Sequence, residues 1–164
     1  MKASFWKGAL AGCIGGLVAT WAMSAAHMAV IKSVGRAMDP DPNDKGEDAT
    51  VQTAQAIVLW LTGSELQASN RHAAGLIVHY TFGASMAVAY GVAVERAPWL
   101  AVGGGVPFGC AIWLGAHVIA VPALGLAKPV SKSSAAMELA EVFDHVIYGA
   151  VCEAVRYKGR SWLN

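Results

Sequence analysis

The chain has 164 residues, of which 55% are hydrophobic and 14% are charged, and its formal net charge is +1. Soluble domains usually carry about 25% charged residues, so this composition indicates an integral membrane protein and disfavours a soluble one. The near-neutral charge, without a basic block, argues against nucleic acid as a partner.

The first apolar segment runs approximately from Phe5 to Ile31. It exceeds the roughly 20 residues that a helix needs to span a bilayer. Lys2 and Lys7 lie at its start and small residues occur at 22–26, so a secretory signal is the alternative interpretation. Because the segment is retained in the chain, we expect it to be a first transmembrane helix.

An acidic segment, residues 37–50, follows and contains two prolines and five acidic residues. Proline interrupts a helix, so this segment is expected to be a solvated loop. Asp39, Asp41 and Asn43 loosely match the start of a calcium-binding loop, but the glycine at its sixth position and the glutamate at its twelfth are missing. An acidic turn is therefore favoured over a calcium site.

The next segment, residues 51–62, is compatible with a helix but is too short to cross a bilayer. Its apolar residues at helical spacing share one face. These residues are Val51, Ala54, Val58 and Leu61. With Trp60 as an anchor, the pattern predicts a short interfacial amphipathic helix within an extramembrane segment that covers residues 37–72.

Three further apolar segments are long enough to span a membrane. They are residues 73–94, 100–124 and 136–155. The last is interrupted by acidic residues, namely Glu138, Glu141, Asp144 and Glu153. We therefore predict an all-α, polytopic membrane protein, a single domain over residues 1–164 that consists of a four-transmembrane-helix bundle and the interfacial helix.

The orientation of such a bundle depends on the basic residues beside its helices. Four spans would place both termini on the same side of the membrane. A compact basic cluster, Arg156, Lys158 and Arg160, directly follows the last predicted span. Because cytoplasmic flanks are enriched in Lys and Arg, we expect both termini to lie in the cytoplasm.

Small residues recur at a spacing of four along three of the predicted spans. In lipid, such spacing lets two helix backbones approach closely. The glycines that we expect at helix contacts are Gly8, Gly12, Gly16, Gly83, Gly91, Gly105 and Gly109. The pattern leaves open whether they pack within one chain or in a homo-oligomer. Pro107 is expected to loosen or kink the third span.

One histidine falls in each predicted span: His27, His79, His117 and His145. Their distances from the nearest span ends agree to within a turn or two. An ionisable side chain at the bilayer centre costs at least roughly 2.5–3.5 kcal/mol, so such residues usually face the interior of a bundle or a cavity. We therefore predict one polar layer near the non-cytoplasmic face.

On the fourth predicted span, the polar residues form a stripe at 100° per residue. Its members are Glu138, Glu141, His145, Gly149 and Cys152, with Asp144 at the edge. The opposite side carries Leu139 and Val146, which suit lipid. This arrangement predicts that the stripe faces the other helices.

The chain resembles a known family in three places. These are the segment HVIAVPALGLAKPV at 117–130, the segment AEVFDHVIYGAVCEAVR at 140–156, and the succession of His79, Tyr90-Gly91 and Glu95. Over residues 79–160 it is similar to the YagU-like bacterial inner-membrane proteins, a group of largely unassigned function. The resemblance implies a bacterial inner-membrane location and functional positions at His79, His117, Glu141 and His145. His27 has no evident counterpart in the family.

Three imidazoles and a carboxylate could bind a divalent metal such as Zn, Fe, Mn or Cu, with Glu141 and His145 projecting from one helix. Haem held by two histidines, or a quinone-type site, is an alternative. Two further alternatives to a metal site are a buried hydrogen-bond network and a proton or ion pathway. The working hypothesis is a site for a metal or small ligand at His79, His117, Glu141 and His145, flanked by His27, Glu138, Asp144 and Tyr148.

The chain contains no conventional catalytic motif, neither a nucleotide-binding loop nor a nucleophile elbow nor HExxH. The alternatives to a binding protein are therefore a proton-responsive ion or solute pathway and a non-catalytic accessory subunit. The expected partners are the lipid bilayer and either further copies of the chain or other membrane-protein subunits.

Overall fold

The structure is a computed structural model that describes residues 4–34 and 48–163. Every regular element in these two ranges is helical, which confirms the predicted all-α class. The calcium-like match at Asp39, Asp41 and Asn43 lies outside the described residues, as does the rest of the predicted acidic loop before Asp48.

Five helices organise the described chain. They are α1 (Phe5–Val34), α2 (Ala49–Thr62), α3 (Arg71–Arg96), α4 (Val106–Ala123) and α5 (Ala135–Trp162). Short 3₁₀ turns at Ala68–Asn70, Pro98–Ala101 and Val130–Lys132 lie between them. Within the described ranges the predicted segments therefore correspond to helices whose ends differ by a few residues.

Three helical segments are long and apolar enough to cross a membrane, namely Phe5–Ser33, Ala68–Arg96 and Val106–Ala123. The prediction of four such spans is wrong by this criterion, because α5 carries too many charged residues. These are Glu138, Glu141, Asp144, Glu153, Arg156, Lys158 and Arg160. Length and composition thus indicate a membrane protein with three apolar spans and one long polar-striped helix.

Glycine brings α1 into backbone contact with α3. The contacts pair Gly8 with Gly91, Gly12 with Ala87, and Gly16 with Gly83. A Cβ atom added at any of the three α1 positions would collide with atoms of α3. Because the residue numbers rise along one helix as they fall along the other, α1 and α3 are antiparallel.

Helix α5 packs antiparallel along α1 on one side and along α4 on another. The α1 contacts pair Ala11 with Gly159, Gly15 with Cys152, and His27 with Asp144. The α4 contacts pair Gly105 with Gly149 and Gly109 with the carbonyl group of His145. The start of α1 therefore lies beside the end of α5, and Lys7 Nζ donates a hydrogen bond of 2.5 Å to the carbonyl oxygen of Leu163.

Helix α2 packs against the first turns of α3, where Val51 contacts Gly75. Asp48 caps its N-terminus by accepting a hydrogen bond from the Thr50 N–H, at 2.8 Å. Of the four apolar residues that were predicted to share one face of this helix, Ala54 is buried, whereas Leu61 is 66% exposed. Trp60 is 83% exposed on the outer side.

Helix α4 begins later than the predicted third span, because Gly103, Gly104 and Gly105 all adopt positive φ angles of 63–84°. Pro107 lies in the first helical turn, a position that tolerates proline, so the predicted kink at this residue is wrong. The irregularity lies further along, where Trp113–Ala120 form a π-helical stretch. Such stretches are rare and frequently occur at functional sites, and this one contains His117.

Candidate functional site

A small, partly open cavity lies where α1, α3, α4 and α5 meet. Its volume is about 60 Å³. Each of these four helices contributes to the lining of the cavity. The lining includes Thr20 from α1, His79 from α3, Ile112 from α4, and His145 and Tyr148 from α5. The cavity therefore brings two of the predicted site histidines together inside the bundle.

The His145 ring is held by its own helix. Its Nδ1 lies 2.7 Å from the carbonyl oxygen of Glu141. A carbonyl oxygen only accepts, so Nδ1 must carry the hydrogen. In the neutral ring Nε2 is then an unprotonated acceptor, and this side chain is 9% exposed.

His79 is oriented by Ser24 of α1, with 3.3 Å between His79 Nε2 and Ser24 Oγ. The Ser24 hydroxyl group donates its hydrogen to the carbonyl oxygen of Thr20, at 3.0 Å. His79 Nε2–H is therefore the donor to Ser24, which leaves Nδ1 of the neutral ring as an acceptor.

His117 lies between two carboxylates of α5. Its Nε2 is 3.3 Å from Glu138 Oε2, and its Nδ1 is 3.8 Å from Glu141 Oε2. The ring centroids of His117 and His145 are 6.1 Å apart. Three of the four predicted site residues, His117, Glu141 and His145, thus lie at the α4–α5 contact, beside the cavity that His79 lines.

His27 pairs with Asp144 across the α1–α5 contact. His27 Nδ1 lies 2.6 Å from Asp144 Oδ2, and the exposed fractions of the two side chains are 41% and 1%. The second carboxylate oxygen, Asp144 Oδ1, is buried and has no hydrogen-bond partner among the described residues. Asp144 was predicted at the edge of the polar stripe, but it is the most buried acidic side chain of this layer.

Tyr148 lines the cavity with its ring, but its hydroxyl group donates to the carbonyl oxygen of Gly83 at 2.6 Å. The phenol therefore joins α5 to α3. Below it, Phe108 of α4 stacks on Tyr90 with ring centroids 4.2 Å apart and lies 5.8 Å from the Tyr148 ring. These three aromatic rings form an apolar layer beneath the cavity.

The residues do not fit the predicted metal site. Among the described residues no three His, Cys, Asp or Glu side chains are arranged to hold a metal ion. His117 faces carboxylates with both nitrogens, and His145 uses Nδ1 on a backbone carbonyl group. Haem or a quinone would need a far larger space than this cavity of about 60 Å³, since ligand pockets usually measure roughly 300–1,000 Å³.

The sequence interpretation missed a buried ionic cluster at the opposite end of the bundle. Arg156 donates to both oxygens of Glu153 at 2.6 and 2.7 Å, and Tyr90 donates to Glu153 at 3.0 Å. Arg160 donates to Glu95 at 2.6 Å. Both arginines were interpreted as part of a basic cluster that follows the last span, yet Arg156 and Arg160 are only 5% and 2% exposed.

A signal for this cluster was present in the sequence. At 100° per residue, Arg156 and Arg160 fall on the same face of α5 as Gly149 and Cys152. Extending the polar stripe beyond Cys152 would have placed both arginines inside the bundle. Glu95, which also lies in the quoted resemblance, then supplies a partner from α3.

Comparison with known proteins places the chain in a family. The profile of one family matches residues 62–154, which include α3, α4 and most of α5. The match contains His79, His117, Glu141, Asp144 and His145, whereas α1 and His27 lie outside it. No curated protein and no solved structure gives a significant match to the chain. Because the matched residues make up more than half of its length, the chain belongs to the family described as a protein of unknown function, DUF1440.

Proposed function

We propose that this protein is a four-helix membrane protein whose central cavity and histidine–carboxylate pairs form a proton-responsive pathway. The observation that carries the proposal is the cavity between His79 and His145, lined by all four long helices. Ionisable side chains inside membrane bundles commonly mark proton relays and ion paths. Imidazole is suited to this task, because its unperturbed pKa of about 6.5 lets it exchange protons near neutral pH.

The proposal includes the crossing of the membrane by α5. This helix follows α1 from the Ala11–Gly159 contact to the His27–Asp144 contact. That part of α1 is about 24 Å long at 1.5 Å per residue, which is most of the hydrocarbon thickness. If α1 crosses the bilayer, α5 crosses with it, and its charged stripe is shielded by the helices packed against it.

The size of the cavity favours protons and water over larger ligands. A volume of about 60 Å³ exceeds the roughly 10–15 Å³ that a cavity needs to hold one water molecule, so water fits in this space. Water at this position would lie beside the polar side chains of His79, His145 and Thr20. The metal and haem alternatives lack the convergent ligands and the space that they need.

The location that we propose is the bacterial inner membrane, with both termini in the cytoplasm. The orientation rests on the basic residues at the end of α5, of which Lys158 is exposed and Arg156 and Arg160 are buried in ion pairs. The polar layer then lies near the non-cytoplasmic face. Association with a second copy or with other membrane-protein subunits stays a prediction.

Proton flux into liposomes tests the proposed function. Purified protein is reconstituted around a trapped pH-sensitive dye, and a pH gradient is imposed with potassium and valinomycin to balance charge. We expect flux above that of empty liposomes, and we expect His145→Asn to lower it because an amide does not exchange protons near neutral pH. His72→Asn, at an exposed histidine near the start of α3, is the matched control and should leave flux unchanged.

Two results would contradict the proposal. One is a wild-type flux equal to that of empty liposomes. The other is a wild-type flux that His145→Asn and His72→Asn lower to the same extent, because the cavity histidine would then have no special role.

A further inference from the structure

The His27–Asp144 pair joins the outside of the bundle to its interior. His27 is 41% exposed and Asp144 is 1% exposed, and the Nδ1 and Oδ2 atoms that join them are 2.6 Å apart. The other imidazole nitrogen, Nε2, makes no hydrogen bond with the described residues, whereas Nδ1 is committed to Asp144. One side chain therefore reaches the surface and a buried carboxylate at the same time.

One carboxylate oxygen of Asp144 lacks a hydrogen-bond partner among the described residues. This oxygen, Oδ1, is buried, and a buried charged group with unmet hydrogen-bonding capacity is costly. When His27 is neutral, the pair carries one negative charge. When His27 is protonated, or when the proton moves to Asp144, the net charge is zero. Uptake of one proton therefore removes the net charge from this buried site.

Other titratable groups surround the pair on the helices packed near it. On α5 they are Glu141 and His145, on α3 His79, and before α2 Asp48. His117 of α4 lies behind Glu141, with 3.8 Å between His117 Nδ1 and Glu141 Oε2. The carboxylates favour a proton on the pair, and a proton already on a neighbouring imidazole opposes it. The pair therefore communicates electrostatically with the cavity that His79 and His145 line.

We infer that His27 and Asp144 form the port through which protons reach the polar layer. A proton from the outside binds Nε2 of His27 and makes an imidazolium ion. Its Nδ1 proton passes to Oδ2 of Asp144, which gives a neutral carboxylic acid and a neutral imidazole protonated at Nε2. Asp144 then gives its proton to a neutral imidazole of the layer. Tautomerisation of the His27 ring, in which Nε2 loses a proton and Nδ1 gains one, restores the starting state.

This role as a port rests on the proposed function, but proton uptake by the pair can be measured separately. Among the described residues the aspartates are Asp48, which is exposed, and Asp144, which is buried. In solid-state NMR with carbon-13 in the aspartate carboxyl groups, the buried environment therefore distinguishes Asp144. We expect the carboxyl signal of the buried aspartate in wild-type protein to change with pH, and His27→Gln to shift the pH of that change. A buried aspartate signal that is constant over the pH range in which histidine titrates would overturn the inference.

Flux in the same liposomes tests the transport role. We expect His27→Gln and Asp144→Asn each to lower proton flux by at least about tenfold, because a positioned proton-transfer group typically contributes a factor of 10²–10⁴. The control, His72→Gln, changes an exposed histidine and should alter flux by less than about twofold.

The outcomes separate the two proposals. Wild-type flux that both variants retain to within about twofold, at an unchanged pH profile, overturns the port and leaves the proposed function standing. Absence of wild-type flux together with His27-dependent titration of Asp144 overturns the proposed function and supports proton uptake by the pair. If either variant fails to fold, the wild-type NMR titration still decides whether Asp144 changes its protonation.

Discussion

Gly109 and Gly149 determine how closely α4 approaches α5 beside His145. A Cβ atom at Gly109 would overlap the carbonyl oxygen of His145, and a Cβ atom at Gly149 would meet the backbone of Gly109 at 2.7 Å. The close approach is needed because α4 carries His117 to the carboxylates of α5. A small residue at this contact thus supports the polar layer one to two turns away.

Substituting one of these glycines should destabilise the bundle. We expect Gly149→Ala to cost about 1–3 kcal/mol, the usual range for overpacking a tight contact, measured by thermal unfolding in detergent. Gly115→Ala is the control, because a Cβ atom there meets nothing within 4 Å. A helical Gly→Ala change without a clash should be neutral or stabilise by roughly 0.5–1 kcal/mol. Equal effects of the two substitutions would contradict the close contact.

The buried arginines give a second test at the residue scale. Arg156→Ala removes both hydrogen bonds to Glu153 and leaves that carboxylate buried with Tyr90 alone. Breaking a buried ion pair in this way costs about 3–5 kcal/mol. Lys158→Ala, two residues away and exposed, should change stability by less than about 0.5 kcal/mol. The comparison uses unfolding midpoints in one detergent, and similar losses for both variants would argue that Arg156 is not paired.

At the scale of the helix, apolar length predicted α1 and α3 well, because each is one uninterrupted run. The start of α4 was misplaced, since the sequence pattern does not show that Gly103 to Gly105 adopt positive φ. For α5, helical periodicity identified the polar stripe, whereas apolar length led to the wrong prediction of a fourth apolar span. No pattern along the sequence shows which side chains pair between helices. Asp144, for example, pairs with His27 of α1 and not with a neighbour on its own helix.

The predicted position of α2 at the membrane surface leads to a fluorescence test. Trp60 is 83% exposed on α2, and Trp21 is 64% exposed near the middle of α1. In single-tryptophan variants reconstituted with brominated lipids, Trp60 should be quenched best by bromine near the headgroups, and Trp21 by bromine deep in the acyl chains. Quenching of Trp60 by bromine deep in the acyl chains, or no quenching at all, would contradict the predicted interfacial position of α2.

At the scale of the molecule, the polar layer and the ionic cluster lie at opposite ends of one bundle. His27, His79, His117 and His145 lie toward one end, and Lys7, Glu95 and Arg160 lie toward the other. The aromatic layer of Tyr90, Phe108 and Tyr148 separates them. The arrangement is asymmetric, because one end combines a small cavity with a half-exposed histidine while the other is closed by ion pairs.

The number of membrane crossings depends on α5, and cysteine labelling decides it. In a background without Cys13, Cys110 and Cys152, single cysteines are introduced by Ser64→Cys, Ser131→Cys and Ser161→Cys, at positions exposed before α3, between α4 and α5, and at the end of α5. If all four long helices cross and the termini are cytoplasmic, a membrane-impermeant maleimide should label residues 64 and 131 in intact cells and residue 161 only after permeabilisation. Labelling of residue 161 alone in intact cells would show the opposite orientation with the same four crossings. Labelling of residues 131 and 161 from the same side would show that α5 does not cross, and the histidine–carboxylate layer would then lie beside the membrane instead of within it.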